Sequence, residues 1–249
     1  MSLRFSIQPI RCGSLQTFEH PSWPCELWSW RTGDWQPARG GTHYGAVHAG
    51  RLSLSCSAGS FVLGAGMVFC VPGEIALTGD AEVFGITQLL NKSLFRIAGP
   101  VERQGRLRYI DGCTDSLLIP PMLKGEPCLN HLHFPAGIDQ TAHTHPSLRA
   151  GLVLRGRGTC RLRDGSVPLT PGQVFHIPPD ELHAFETGTS SMDVIAFHPD
   201  SDCGPEHDNH PMINRTFVDG LSARHIAEIR TAASAPLSAA RACLHAHGA

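Results

Sequence analysis

The chain has 249 residues, 41% hydrophobic and 7% aromatic, and a formal net charge of -2. Such a balance argues against a nucleic-acid or anionic-membrane partner selected by bulk charge. The length allows one large or two small domains, and the 26 glycines and 19 prolines suit many short strands joined by turns.

From the N-terminus onward, MSLRFSIQPIRCGSL has no apolar h-region, and no later stretch approaches a membrane span. A cytoplasmic protein without a membrane partner is expected. The 9 cysteines are scattered and form no CxxC. They read as small buried apolar residues, not as a disulfide framework or a zinc ribbon.

Turn signals follow at regular spacing: RTGDWQPARGG, SCSAGS, RLRDGSVPLTPG and IPPDE. Between them LSLS, GMVFCV, GLVLR, QVFHI and MDVIAF read as strands, the pattern of an all-β sandwich or barrel. KSLFRIAGPVERQGRLRYIDG reads as a linker and the entry to the second half of the chain. Ser222 is placed to cap a helix running through Ile229, followed by an Ala-rich tail.

The chain also repeats itself. An ungapped offset of 106 sets Gly45 on Gly151, Val47 on Val153, Gly50 on Gly156, Gly66 on Gly172 and Pro72 on Pro178. Glycines and prolines fix turns, so their coincidence implies two copies of one domain. The expected division is residues 1-105, residues 106-220, and a helix and tail over 221-249.

Nine of the fifteen histidines fall between His131 and His210, which places the chemistry in the second copy. In AHTHPSLRAGLVLRGRG, alternation along a strand projects His143 and His145 to one face, with Arg149 on the same parity. Two imidazoles are half of a metal site. His183, in GQVFHIPPDELHAFE, supplies a third candidate.

These two stretches resemble the cupin superfamily. Its usual first motif is Gly, five residues, HxH, three or four residues, Glu, six residues, Gly. Gly137, His143, His145, Arg149 and Gly156 match its spacing, with Arg149 in the place of Glu. Its usual second motif is Gly, five residues, PxG, two residues, His, three residues, Asn. Gly172, Pro178, Asp180, His183 and Thr187 match, with Asp180 in place of Gly and Thr187 in place of Asn.

The resemblance implies a bicupin: two tandem cupin barrels with a short C-terminal helix. It further implies that His143, His145 and His183 converge on one divalent metal in the second barrel. In the first copy the offset puts Pro37, Arg39 and Leu77 in the ligand places, and His43 opposite Arg149. None of the first three can complete the triad.

Three neutral imidazoles leave the ion its full charge and open coordination positions. Arg149 adds a further charge; at about 6 Å and an effective dielectric near 20 the repulsion is roughly 5 kcal/mol. Either Arg149 turns to a carboxylate such as Asp180 or Glu181, or it clamps an anionic ligand. His176 is a second candidate catalytic residue, and His131, His133 and His198 are further candidates for lining the barrel. Cys160 reads as a buried small residue.

The leading reading is a metal-dependent bicupin enzyme acting on a small anionic molecule. Three-histidine cupin sites without Glu resemble Fe(II) dioxygenases, so Fe(II) leads as cofactor, with Zn, Ni or Mn as alternatives. A non-redox lyase or isomerase and a non-catalytic metal- or small-molecule-binding module are the other readings. Uncovered edge strands suggest a homodimer.

Overall fold

The structure is a computed structural model, and it describes residues 4–33, 35–37 and 40–229. Residues 1–202 form one compact unit and residues 203–249 a second.

The strands of the first unit are, in chain order, β1 (Ser6–Pro9), β2 (Gly13–Phe18), β3 (Cys25–Thr32), β4 (Thr42–Cys56), β5 (Gly59–Gly64), β6 (Val68–Pro72), β7 (Ile75–Gln88) and β8 (Arg96–Ala98). They continue as β9 (Leu107–Arg108), β10 (Thr114–Ile119), β11 (Cys128–Phe134), β12 (Arg149–Gly156), β13 (Gly158–Leu162), β14 (Gly165–Leu169), β15 (Gln173–Ile177), β16 (His183–Glu186) and β17 (Met192–His198). One seven-stranded sheet runs β1-β15-β12-β17-β11-β10-β9, backed by β14-β13-β16. The other runs β2-β3-β7-β4-β6-β8, with β5 on β4. β14 and β8 lie inside stretches that read from sequence as a turn and a linker.

The offset of 106 relates the backbone pairing of the two halves. β4 shifts register between Val47 and Ala49 where it meets β7, and β12 shifts between Val153 and Arg155 where it meets β17. Gly66 N–H donates to Val47 O at 2.8 Å, and Gly172 N–H to Val153 O at 3.0 Å. Gly50 and Gly156 both take positive φ, and a Cβ on either would strike the backbone of the neighbouring strand. No side chain fits there, which is why glycine recurs. In the first half β4 and β7 run on as single long strands; in the second, the same path is broken into β12/β13 and β16/β17.

Three apolar clusters hold the unit together. Trp28, Trp30, Leu52, Phe69 and Val83 pack together inside the first half. Phe134, Val153, Leu169, Phe175 and Phe185 pack inside the second. The third lies between the two large sheets, where Tyr44, Phe84 and Ile86 meet Leu152, Ile195 and Phe197. Tyr44 and Phe197 pack there with tilted rings, centroids 5.1 Å apart.

β1 departs from the expected division at residue 105. It pairs antiparallel with β15, Ser6 opposite His176 and Ile7 opposite Phe175. β8, which leads into the second half, pairs in the matching register with β6 of the first, Arg96 opposite Cys70 and Ile97 opposite Phe69. Each half thus lends its leading strand to the other. Ile10 N–H then donates to Gly172 O and Val101 N–H to Gly66 O, again at equivalent places.

In residues 203–229 the helix α1 is Pro211–Arg215, opened by proline at its start, as suits that position. β18 (Phe217–Val218) and β19 (Leu221–Ser222) form a hairpin. The helix expected from Ser222 to Ile229 is instead two single 3-10 turns, Ala223–His225 and Ala227–Ile229. Ser222 does cap, accepting from Arg224 N–H, but Ile226 is extended and ends the first turn. Residues 230–249 of the expected tail lie outside the described residues. No helix among the described residues is long and apolar enough to cross a membrane.

Candidate metal centre

His143 is not in a continuous strand; it forms an isolated antiparallel bridge with His183 at the start of β16. The strand expected through His143 and His145 begins only at Arg149. His145 is held by the turn that follows β15: Asp180 N–H donates to His145 O at 2.8 Å. Asp180 has φ of 59°, the left-handed region that favours glycine, and aspartate is among the residues that tolerate it. That conformation accounts for the Asp-for-Gly departure in the second motif.

The three imidazoles converge. Their ring centroids are 5.0 Å (His143–His145), 4.6 Å (His143–His183) and 5.2 Å (His145–His183) apart. One nitrogen from each lies within 4.8 Å of the others. His143 Nδ1 faces Thr141 O at 2.8 Å, and His183 Nδ1 faces Glu181 O at 2.8 Å. A carbonyl only accepts, so each Nδ1 donates to it, and the tautomer this selects directs the Nε2 lone pair away from the backbone. Burial, with smaller contributions from Arg149 and the neighbouring imidazoles, lowers His145 to about 3. Burial likewise lowers His183 to about 4. Three converging imidazoles, two of them tied back to a carbonyl through Nδ1, form a donor set that fits a divalent transition ion.

The triad lines a cavity of about 490 Å³, counting its open mouth, with Phe134, Phe175, Phe185 and Val194 as apolar wall. Arg149 lines it too. Its Nη1 donates to Ser147 Oγ at 2.8 Å and to Leu148 O at 3.0 Å, and its Nε is buried without a partner. Ser147 Oγ in turn donates to Asp200. Neither Asp180 nor Glu181 pairs with Arg149. Burial depresses the guanidinium's affinity for its proton, and nearby Asp200 opposes this. His198 lines the same cavity beside His145, with centroids 6.5 Å apart, and burial and Arg149 keep it neutral.

His176 does not meet the cavity. On β15, Phe175 and Ile177 point in, so alternation turns His176 to the other face. There its Nδ1 lies 2.8 Å from Ser6 Oγ and its ring packs edge-on against Phe18. His131 and His133 also face away, both bonding Asp193 Oδ1, at 2.7 and 3.0 Å. Arg155 approaches the other oxygen of that carboxylate at 3.2 Å. Cys160 is buried in the apolar cluster of the second half.

A family model for the cupin domain matches residues 130–198. A search of curated proteins finds no match. Among solved structures, a Pseudomonas aeruginosa protein described as glyoxylate-induced superposes with a TM-score of 0.56 at 15% identity, covering 82% of this chain and 92% of its own. A cupin 2 conserved barrel domain protein from Leptotrichia buccalis gives 0.53 at 15% identity, covering 79% and 90%. The salicylate 1,2-dioxygenase of Pseudoaminobacter salicylatoxidans, solved as adducts with gentisate, gives 0.54 at 12% identity, covering 72% and 68%. The fold is the cupin fold.

Within that cupin fold the first half carries apolar side chains at the positions matching the triad. Trp35, not Pro37, takes the place of His143, because Trp35 bridges Leu77 as His143 bridges His183. The ungapped offset slips by two residues there; Arg39 lies outside the described residues. Trp28 lies over Gly85, where a Cβ would come within 2.1 Å of the indole. Its Nε1 donates to Thr87 Oγ1, which also meets His43 Nδ1 at 2.7 Å; His43 Nε2 meets Gly73 O. By strand register Trp28 stands where Asn130 does in the second half, and Gly85 where Ala196 does. A ring over a glycine stands at the positions that Asn130 and Ala196 hold in the wall of the second half's cavity.

Sequence reasoning singled out the histidines of CLNHLHF and passed over Asn130. The signal was parity: Cys128, Asn130, Leu132 and Phe134 share one face of β11, so the single polar residue of that set is the one aimed inward. Asp115, Gln140 and Tyr109, which also line the cavity, carried no comparable signal.

Proposed function

We propose that this chain is a metal-dependent enzyme of the bicupin kind that acts on a small anionic molecule, as a non-haem iron dioxygenase-type oxidoreductase. The observation that carries the reading is the convergence of three imidazoles in a cavity that Arg149 also lines. His143, His145 and His183 would hold the ion through one nitrogen each. The ion, Fe(II) in this reading, supplies open coordination positions at which dioxygen and an organic substrate can meet.

The chain's own residues do the rest. The backbone acceptors on His143 and His183 fix the tautomer that leaves Nε2 available. Arg149, anchored through Nη1, offers its Nε to the substrate's anionic group and so orients it. The phenylalanine wall excludes water around the reacting end. The salicylate 1,2-dioxygenase with a similar fold was solved with gentisate, an aromatic carboxylate, which agrees with an anionic substrate here.

Metal analysis of the purified protein, paired with oxygen uptake against small carboxylates and thiols, tests the reading. Iron at about one ion per chain with carboxylate-dependent oxygen uptake supports it. Zinc, nickel or manganese without oxygen uptake moves the assignment to a lyase or isomerase. No tightly bound metal overturns it.

A further inference from the structure

Four residues lining the cavity each bury a polar atom without a hydrogen-bond partner. Two of these atoms are donors, Arg149 Nε and Gln140 Nε2, and two are acceptors, Asp115 Oδ1 and Asn130 Oδ1. Their partnered atoms fix these identities. Gln140 Oε1 accepts Phe185 N–H at 3.1 Å, which leaves the amide nitrogen spare. Asn130 Nδ2 donates to Asp115 Oδ2 at 3.0 Å, which leaves one oxygen on each residue spare. Gln140 and Asn130 are 1% and 5% exposed, so bulk water does not satisfy them. Buried polar atoms are nearly always satisfied, and four unspent ones around one cavity imply a ligand that meets them.

Arg149 and the Asp115–Asn130 pair are separated across the sheet. Asn130 on β11 pairs with Ala196 on β17, which pairs with Gly151 on β12, two residues beyond Arg149. Two strand spacings are about 10 Å, the span of a substituted ring or a short chain. We propose that the cavity selects a small carboxylate bearing a hydrogen-bond-donating substituent, a hydroxyl or an ammonium, with the carboxylate on Arg149 and the donor on Asp115 and Asn130. This rests on the anionic-substrate reading above and adds the second pole. Burial raises the proton affinity of Asp115, so a donor that pairs with it also stabilises its charged form.

The test is calorimetric binding to the full-length metal-loaded protein. The probes are benzoate, meta-hydroxybenzoate and meta-(aminomethyl)benzoate; meta substituents cannot close a chelate on the metal. Benzyl alcohol and meta-hydroxybenzyl alcohol are probes without the anion. At least one meta-substituted benzoate should bind tenfold or more tighter than benzoate, as one added hydrogen bond to a charged acceptor allows. Asp115→Ala should reduce that ratio to about twofold while benzoate affinity holds, and Asn130→Ala should reduce it independently should the first variant not fold.

The proposal is overturned by equal binding of all three benzoates, by a preference that survives both substitutions, or by no binding of any probe. Failure of the anionic reading looks different. Arg149→Ala would then leave benzoate affinity unchanged, while the preference for meta-hydroxybenzyl over benzyl alcohol would still vanish in Asp115→Ala.

Discussion

His143 and His183 exchange both of their backbone hydrogen bonds, His143 N–H to His183 O at 2.9 Å and the return bond at 3.0 Å. The two side chains therefore leave adjacent backbone positions on the same side, and the chain itself brings them together. A site pinned this way should persist without its ion. The purified protein should carry close to one divalent ion per chain, and alanine at His143, His145 or His183 should each strip most of it. Chelation should leave the far-ultraviolet circular dichroism unchanged. Full metal retention in the single variants, measured by elemental analysis, would remove the triad from consideration.

Acid sensitivity follows from the buried imidazoles. Burial lowers His43 to about 4, against 6.5 in an unfolded chain. Between these values the unfolded chain binds a proton that the folded chain refuses. Stability is therefore fully present above pH 6.5 and is lost as pH falls toward 4. His43 alone accounts for up to about 3 kcal/mol of that loss, and in the metal-free protein His145 and His183 act in the same direction. Melting temperature against pH should be flat above 6.5 and fall below it. His43→Gln, which keeps hydrogen-bonding groups but does not titrate, should flatten the slope.

Arg149 places a cation beside the triad, and its charge contributes to lowering His145 and His183. Arg149→Ala should tighten the metal slightly and weaken benzoate by about 1.5–3 kcal/mol, the range for a hydrogen bond to a charged group. Lysine should restore only part of the loss, because it lacks the planar fork. Unchanged benzoate binding with a lowered melting temperature would make Arg149 a purely structural residue, held by Ser147 and Leu148.

The site was legible in the sequence where ligand identity and spacing coincide, and less so where a side chain's direction decides. His143, His145 and His183 could be found because a short bridge and a tight turn hold them at fixed intervals. His176 could not be excluded by spacing; it fails as a cavity residue because it sits on the wrong parity of β15. Asn130 was available by the same parity test applied to β11. The helix expected after Ser222 failed differently: residues there follow a hairpin, and an extended Ile226 interrupts the turn before a full helical hydrogen bond can close. The repeat was visible through glycines and prolines, yet the slip that seats Trp35 opposite Leu77 falls before Thr42, where no matched glycine or proline marks the register.

The indole over Gly85 gives a packing prediction. Trp28 has no solvent exposure and covers Gly85. Trp28→Ala should cost about 3–5 kcal/mol as a large-to-small core change. Gly85→Ala should cost about 1–3 kcal/mol, because the new methyl has no space under the indole. Chemical denaturation of both variants checks the pair; a neutral Gly85→Ala would show that the ring can move.

The reciprocal strand exchange supports the last prediction, and it too has a sequence trace. Phe5-Ser6-Ile7 precedes Pro9-Ile10, and Phe95-Arg96-Ile97 precedes Pro100-Val101. Ile7 packs into the second half's cluster and Ile97 into the first's, while Ile10 and Val101 are both buried between the sheets. Deleting the residues before Ile10 would remove the β1 ladder from β15, leaving the strand that carries Phe175 and Ile177 as an open edge. Open apolar edges recruit other chains. The truncated protein should melt lower, aggregate on heating and bind metal less tightly, since β15 feeds the turn that holds His145. Alanine at Ile7 alone, by removing packing but keeping the ladder, should lower the melting temperature without aggregation. If the truncation behaves like Ile7→Ala in light scattering, the ladder contributes nothing beyond the side chain it carries.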